Sequence, residues 1–378
     1  MSRTSPQDPN DPQPAADYLL PHVQQLAAYV PGQQPRRGEL VKLNTNENPY
    51  PSPPAAIAAI QETAANGLHR YPDPMANSFR QAAAQLFNLP GPDWVLAGNG
   101  SDEILTMLVR GFLAPGQSLR LPYPSYILYR TLADIQDANW QQVPFDVSAD
   151  GTDWQLPSAF GIIDPDDAQD VRLVVLPNPN SPSGTLVSVE HVARIAASLN
   201  CPLVVDEAYV DFAPTSCVSL VHEMPNVIVT RTLSKSYGLA GLRFGFALAN
   251  PETIAGLSKI KDSYNCDALS IAAATAAINS QSWLRENVAK ILKTRYRMFH
   301  QLSEMGFRVT PSHANFLWCT HPSGRHEELY AGLRNAGWLV RWMRFPDWGD
   351  GLRISVGTDE QIDACFDVLR SLVEGLDQ

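Results

Sequence analysis

Lys235 stands in "TRTLSKSYGLAGLRFGF" (230–246), directly after the apolar run "NVIVTRTLS" and among serines, glycines and alanines. The run reads as a buried strand and its exit turn. A lysine placed there either escapes to water or is held for chemistry. Desolvation and a neighbouring cation favour the free amine that Schiff-base formation needs. Arg243, further along the same segment, is such a cation and also suits a phosphate, while Gly238, Ala240 and Gly241 leave room for a bulky ligand. A purely structural lysine fits the segment too. A nucleotide loop does not, because "TRTLSK" has no glycine before its lysine.

A second apolar run, "PLVVDEAYVDF", ends on Asp206, with Glu207 next and Tyr209 three residues after Asp206. Asp206 either caps the following turn or pairs with a protonated ring nitrogen, with the Tyr209 phenol beside that ring's oxygen. Glu207 is read as a structural carboxylate. In "GNGSDE" (98–103) two glycines permit close backbone approach, and Ser101 and Asp102 are capping types at a helix start that attracts phosphate. Glu103 takes the place of the third glycine, so this is not the dinucleotide fingerprint. Turn chemistry alone explains "PNPNSPSG" (177–184), although Asn180 has an amide to offer a ligand. A phosphate cradle, a ring-nitrogen acid, a phenol and a Schiff-base lysine together specify pyridoxal 5'-phosphate.

These residues need a scaffold that brings strand ends together. Between about residues 90 and 265 the runs "WVLAG", "QSLRLP", "VRLVVLP", "PLVVDEAY" and "NVIVTRTLS" alternate with helical patterns such as "SDEILTMLVRGFL", "SYILYRTLADI" and "SVEHVARIAASL". Continuous rather than alternating apolar runs predict strands covered on both faces, the mark of a mostly parallel α/β sheet. Ligands of such sheets bind beyond the carboxyl ends of the strands. After residue 265 a long helical stretch leads into strands "FRVTP", "NFLWCT", "WLVRWM" and "GLRISVGT", the helix "HEELYAGLRNAG" and a final helix from Asp359, which predicts a smaller α+β domain. The expected division is a disordered lead-in at 1–18, an N-terminal arm at 19–45 that forms part of the small domain, a large domain at 46–265 and a small C-terminal domain at 266–378.

Bulk properties narrow the class. The chain has 378 residues, 44% of them hydrophobic, and a net charge of −11 without any basic run, which argues against nucleic acid. It contains no uninterrupted apolar run of membrane-spanning length (~20 residues). The five cysteines are scattered singly, without metal-ligand or disulfide spacing, so a reducing cytoplasm is expected.

The ordered motifs "NENPY", "RYPDP", "GNGSDE", "PSY", "NPNSPSG", "DEAY", "TLSKSYGLAGLRFG" and "LRISVGT" resemble the fold-type I aminotransferases, from about Leu19 to the C-terminus. Within that group the chain is most similar to the histidinol-phosphate aminotransferases. The resemblance implies a seven-stranded, mostly parallel sheet flanked by helices, a smaller domain, and a homodimer with shared active sites. It makes Lys235 the Schiff-base lysine and proton shuttle and Asp206 the partner of the pyridine nitrogen. Tyr209 and Asn180 would contact the ring oxygen, and Tyr126 would stack on the ring. Gly100, Ser101, Asp102, Ser234 and Arg243 fall in the phosphate region, which Tyr71 reaches from the partner subunit. Ser181 stands where relatives commonly carry asparagine.

On the substrate side, the resemblance gives Arg353 to the α-carboxylate of glutamate, Arg341 to a phosphate or distal carboxylate, and Asn48 to the substrate pocket. Arg344 is a possible helper without a family match. The implied reaction interconverts histidinol phosphate plus 2-oxoglutarate with imidazole-acetol phosphate plus glutamate. Rivals on the same scaffold are an aromatic amino acid aminotransferase and a decarboxylase of a phosphorylated amino acid. A transcription regulator would need a basic winged-helix module, for which the proline-rich residues before "LNTNENPY" are too few.

Overall fold

A computed structural model of the chain describes residues 15–27, 32–36, 38, 40–164 and 170–376. The expected disordered lead-in falls outside these residues except for Ala15–Tyr18, a short 3-10 turn. The central sheet has seven strands: β1 (Val95–Gly98), β2 (Ser118–Tyr123), β3 (Asn139–Pro144), β4 (Val171–Pro177), β5 (Leu203–Asp206), β6 (Val227–Thr232) and β7 (Gly245–Leu248). Their spatial order is β1-β7-β6-β5-β4-β2-β3. β7 is antiparallel to both neighbours and every other pairing is parallel. Six strands therefore send their carboxyl ends to one edge, and β7 begins there.

The apolar runs are continuous because both faces are covered. Leu203 and Val205 of β5 enter one hydrophobic cluster and Val204 enters the other. Val227, Val229 and Ile228 of β6 divide in the same way. The helix Ser101–Phe112 buries Ile104, Leu105 and Leu108 against the second of these clusters.

The long helical stretch after residue 265 is two helices, Ala268–Ile278 and Gln281–Glu304. Asp267 caps the first by accepting from the Ser270 amide at 2.9 Å. Its Ala273, Ala274 and Ala277 share a core with the central sheet. The second helix joins two cores: Leu284 packs with the large cluster, while Ile291, Met298 and Leu302 pack in the third. That third cluster sits on a four-stranded antiparallel sheet, β8 (Arg308–Val309), β9 (Phe316–Thr320), β10 (Arg341–Phe345) and β11 (Gly349–Ser355), ordered β8-β9-β11-β10. Leu329 and Leu333 of helix His326–Asn335 and Ile362 and Phe366 of helix Asp359–Leu376 complete it. The short strand Val41–Lys42 pairs in parallel with Trp338–Leu339.

All five cysteines are buried and unpaired. Among the described residues no helix is long and apolar enough to cross a membrane, and no cluster of metal-ligating side chains occurs.

Candidate active site

The carboxyl edge of the sheet opens on a cavity of about 760 Å³. Asp206 is the last residue of β5, and Lys235 follows the end of β6. Ser101 starts the helix after β1, Tyr126 follows β2, and Ser181 follows β4. Arg243 precedes the reversed strand β7, whose Gly245 is in register with both Gly98 and Thr232. Reversal of that one strand is what brings a cation to the same edge. All six of these residues line the cavity, with Asp102, Tyr209 and Ser234.

Asp206 is 4% exposed, and its carboxylate takes three hydrogen bonds. The Tyr129 hydroxyl donates to Oδ2 at 2.6 Å; Thr230 Oγ1 and the Ala208 amide donate to Oδ1 at 3.1 and 3.2 Å. Burial pushes this carboxyl above its ordinary range, and the hydroxyls of Tyr129 and Thr230 pull it back. Tyr209 accepts a hydrogen bond from the Asn46 amide at 2.9 Å and packs edge-on against Phe316. Lys235 Nζ donates to the Thr45 carbonyl at 3.0 Å and lies 5.9 Å from the Tyr209 ring centre.

Around the helix start, Arg243 pairs with Asp102 at 3.2 Å and reaches Ser234 Oγ at 3.4 Å. Both partners of the ion pair are about half exposed, so the contact contributes little stability. Gly100 explains itself here: a Cβ would lie 2.5 Å from Arg243 Nη2, and its φ of +80° disfavours a side chain. The position is a cradle for the guanidinium.

Three arginines of β10 and β11 line the same cavity: Arg341, Arg344 and Arg353. Arg341 and Arg353 are direct cross-strand partners on β10 and β11. Arg353 donates to Ser181 Oγ at 2.8 Å and to the Asn44 carbonyl at 2.9 Å, so it ties β11 to the turn after β4 and to the segment after Lys42.

Four expected residues lie elsewhere. Asn48 is not among the cavity-lining residues; its amide donates to the carbonyls of Lys235 and Ser236 at 3.2 and 2.9 Å and so braces the lysine turn. Asn180 is buried behind the wall, with its amide given to the Pro124 carbonyl and Ser183 Oγ, while its neighbour Ser181 faces the cavity. Gly100 supports the wall through Arg243 without lining it. Tyr71 is 80% exposed and stacks on Tyr264 at 4.4 Å, outside the cavity of its own chain. Glu207 is fully buried and accepts from Arg231, Ser216 and the Cys217 amide, a structural knot beneath the sheet edge. Sequence reasoning overlooked Tyr129, Thr230, Thr45 and Asn46. Asn46 opens the motif "NENPY", and Tyr129 lies in the run "SYILYRTLADI", three residues after Tyr126.

The residues present fit pyridoxal phosphate. A helix N-terminus, two serine hydroxyls and Arg243 make an anion site. Asp206 is a buried carboxylate with hydroxyl and amide donors but no cationic side chain recorded against it, as a partner for a protonated ring nitrogen should be. Lys235 faces the same cavity.

Comparison with known proteins agrees with this geometry. The model of the family "Aminotransferase class I and II" matches residues 38–369. A histidinol-phosphate aminotransferase of Rhodopirellula baltica is 61% identical over 94% of this chain and 96% of its own length. Histidinol-phosphate aminotransferase 1 of Trichormus variabilis is 44% identical over 94% of this chain and 99% of its own. Among solved structures, the histidinol-phosphate aminotransferase of Sinorhizobium meliloti in complex with pyridoxal-5'-phosphate superposes with a TM-score of 0.84 at 25% identity, covering 95% of this chain and 98% of that one. With that sheet, that strand-end lysine and these relatives, the chain belongs to the class I and II aminotransferases, in the histidinol-phosphate aminotransferase branch.

Proposed function

We infer that this enzyme transfers the amino group of histidinol phosphate to 2-oxoglutarate, giving imidazole-acetol phosphate and glutamate, a step of histidine biosynthesis. The observation that carries the reading is the convergence of Lys235, Asp206 and Arg243 on one cavity whose far wall bears Arg341, Arg344 and Arg353. Pyridoxal phosphate, when bound, supplies an electron sink for the substrate carbon that loses a proton. Lys235 holds the group and moves that proton with its freed Nζ. Asp206 keeps a proton on the ring nitrogen. Tyr209 Oη, oriented by Asn46, and Ser181 Oγ are the polar groups available to the ring oxygen, while Tyr126 is available to stack on the ring. Ser101, Ser234 and Arg243 hold the phosphate.

The substrates differ in their anions. Glutamate brings two carboxylates, and histidinol phosphate brings a phosphate and no carboxylate. Arginine forks suit both. Arg353 takes the α-carboxylate of glutamate, Arg341 takes the substrate phosphate or the distal carboxylate, and Arg344 adds charge at the rim. We also propose a homodimer in which Tyr71 serves the partner's phosphate site, and a cytoplasmic location, which the five unpaired thiols support.

The test is a set of half-reactions followed by cofactor absorbance, with histidinol phosphate, glutamate, phenylalanine and tyrosine as donors. Fast conversion by histidinol phosphate and glutamate is expected. Strong activity on phenylalanine with none on histidinol phosphate would make the enzyme an aromatic aminotransferase, and release of carbon dioxide would make it a decarboxylase. Borohydride reduction should trap the pyridoxyl group on the Lys235 peptide; label on another lysine overturns the cofactor assignment.

A further inference from the structure

Tyr129 lines the cavity beside Tyr126, and its phenol makes the shortest hydrogen bond of the Asp206 carboxylate, at 2.6 Å. The side chain is 1% exposed on the helix Leu128–Ile135, far in sequence from β5. Its ring meets Tyr126, another cavity-lining residue, edge-on at 5.6 Å. The two carboxylate oxygens are not served alike. Oδ1 receives both Thr230 and the Ala208 amide, whereas Tyr129 is the one donor recorded on Oδ2 among the described residues. Burial, then the Asp206 charge, push the phenol well above its ordinary value, so it stays protonated and donates.

A carboxylate facing a ring nitrogen shares one proton with it. A hydrogen bond donated to the carboxylate lowers its basicity and leaves the proton on the ring. Loss of that bond in a buried site moves the proton towards the carboxylate, and a neutral ring is the weaker electron sink. We propose that Tyr129 is a positioning residue whose hydroxyl, held on Asp206 Oδ2, keeps the shared proton on the pyridine nitrogen of bound pyridoxal phosphate. The inference rests on the aminotransferase reading above and adds to it a residue that acts through Asp206.

The experiment loads wild-type enzyme, Tyr129→Phe and Thr230→Val with pyridoxal phosphate carrying ¹⁵N in the ring, and reads the nitrogen chemical shift and kcat at one fixed pH. Wild type should show a protonated ring nitrogen. Tyr129→Phe, which removes one oxygen atom and leaves the ring packed, should move the signal towards neutral pyridine and lower kcat roughly ten- to a hundredfold, as loss of a hydrogen bond to a charged group implies. Thr230→Val should move it less, because Oδ1 keeps the Ala208 amide. A Tyr129→Phe signal identical to wild type overturns the proposal while leaving the enzyme assignment in place, and so does an equal displacement by both variants. Failure of wild type to bind the cofactor overturns both. A Tyr129→Phe protein that does not fold, by circular dichroism, makes the hydroxyl a stability element and also overturns the assigned role.

Discussion

Asp206 concentrates the chemistry of this site because it is a buried charge without a basic side chain recorded against it. Asp206→Asn keeps the shape and removes the charge, so cofactor should still bind while the ring loses its proton. Truncating one member of a buried charged pair costs about 2–5 kcal/mol, which converts to roughly 30- to several-thousand-fold in kcat. A near-normal rate at neutral pH would refute the role. The arginines permit a sharper dissection. Arg353→Ala should harm the glutamate half-reaction more than the histidinol-phosphate one, which has no α-carboxylate to lose, and Arg341→Ala should harm histidinol phosphate strongly. Equal losses on both substrates in both variants would sink this division. At this scale the sequence was legible for the convergence of Lys235, Asp206 and Arg243, which short motifs marked and which line one cavity. It was illegible where the contact is long-range: Tyr129 and Thr230 are ordinary hydroxyls until the fold sets them against Asp206. The asparagine beside the turn proline shows the opposite limit. The turn motif and the family resemblance drew attention to Asn180, whose amide the turn gives to Pro124 and Ser183, while Ser181 lines the cavity.

Elements were readable in proportion to their burial. The runs at β1, β2, β4, β5 and β6 stand out because two covered faces demand unbroken apolar residues. β3 and β7 do not. "NWQQVP" is an edge strand with half-exposed or exposed side chains, and "GFAL" is four residues long directly after a glycine-rich turn. β7 nevertheless sets the site, since its reversal delivers Arg243 to the carboxyl edge. A second element-level device lies where the turn after β4 meets the segment before β9. Gly184 has a φ of +78°, and a Cβ there would clash with Ser312, whose Cα would be 2.9 Å away. Its carbonyl accepts from the His313 amide at 2.8 Å. Gly184→Ala should therefore push the two segments apart and destabilise the fold by about 1–3 kcal/mol, read as a lower urea midpoint with an unchanged m-value. A midpoint equal to wild type would show that the junction yields without cost.

On the scale of the whole molecule, one chain holds a nearly complete site, yet its most exposed large aromatic residue of the described set lies outside it. Tyr71 is 80% exposed and stacks on Tyr264, and Leu68, Ile260 and Tyr264 on the same two segments are also exposed. Lys261 Nζ donates to the Pro74 carbonyl at 2.9 Å and ties those segments together. Exposed apolar residues grouped in this way suit a partner surface, and the proposed homodimer would cover them with a second copy related by a two-fold axis. If that copy's Tyr71 completes the phosphate site, the defects of two variants must be separable. Tyr71→Ala retains Lys235, and Lys235→Ala retains Tyr71. Each homodimer should be nearly inactive, the second wholly so. In an equimolar mixture after subunit exchange, half the dimers are mixed and one of the two sites in each has both native residues, which restores about a quarter of wild-type activity. A mixture no more active than the sum of its parts, with mixed dimers demonstrated by native mass spectrometry, would place Tyr71 in its own chain's service or in none.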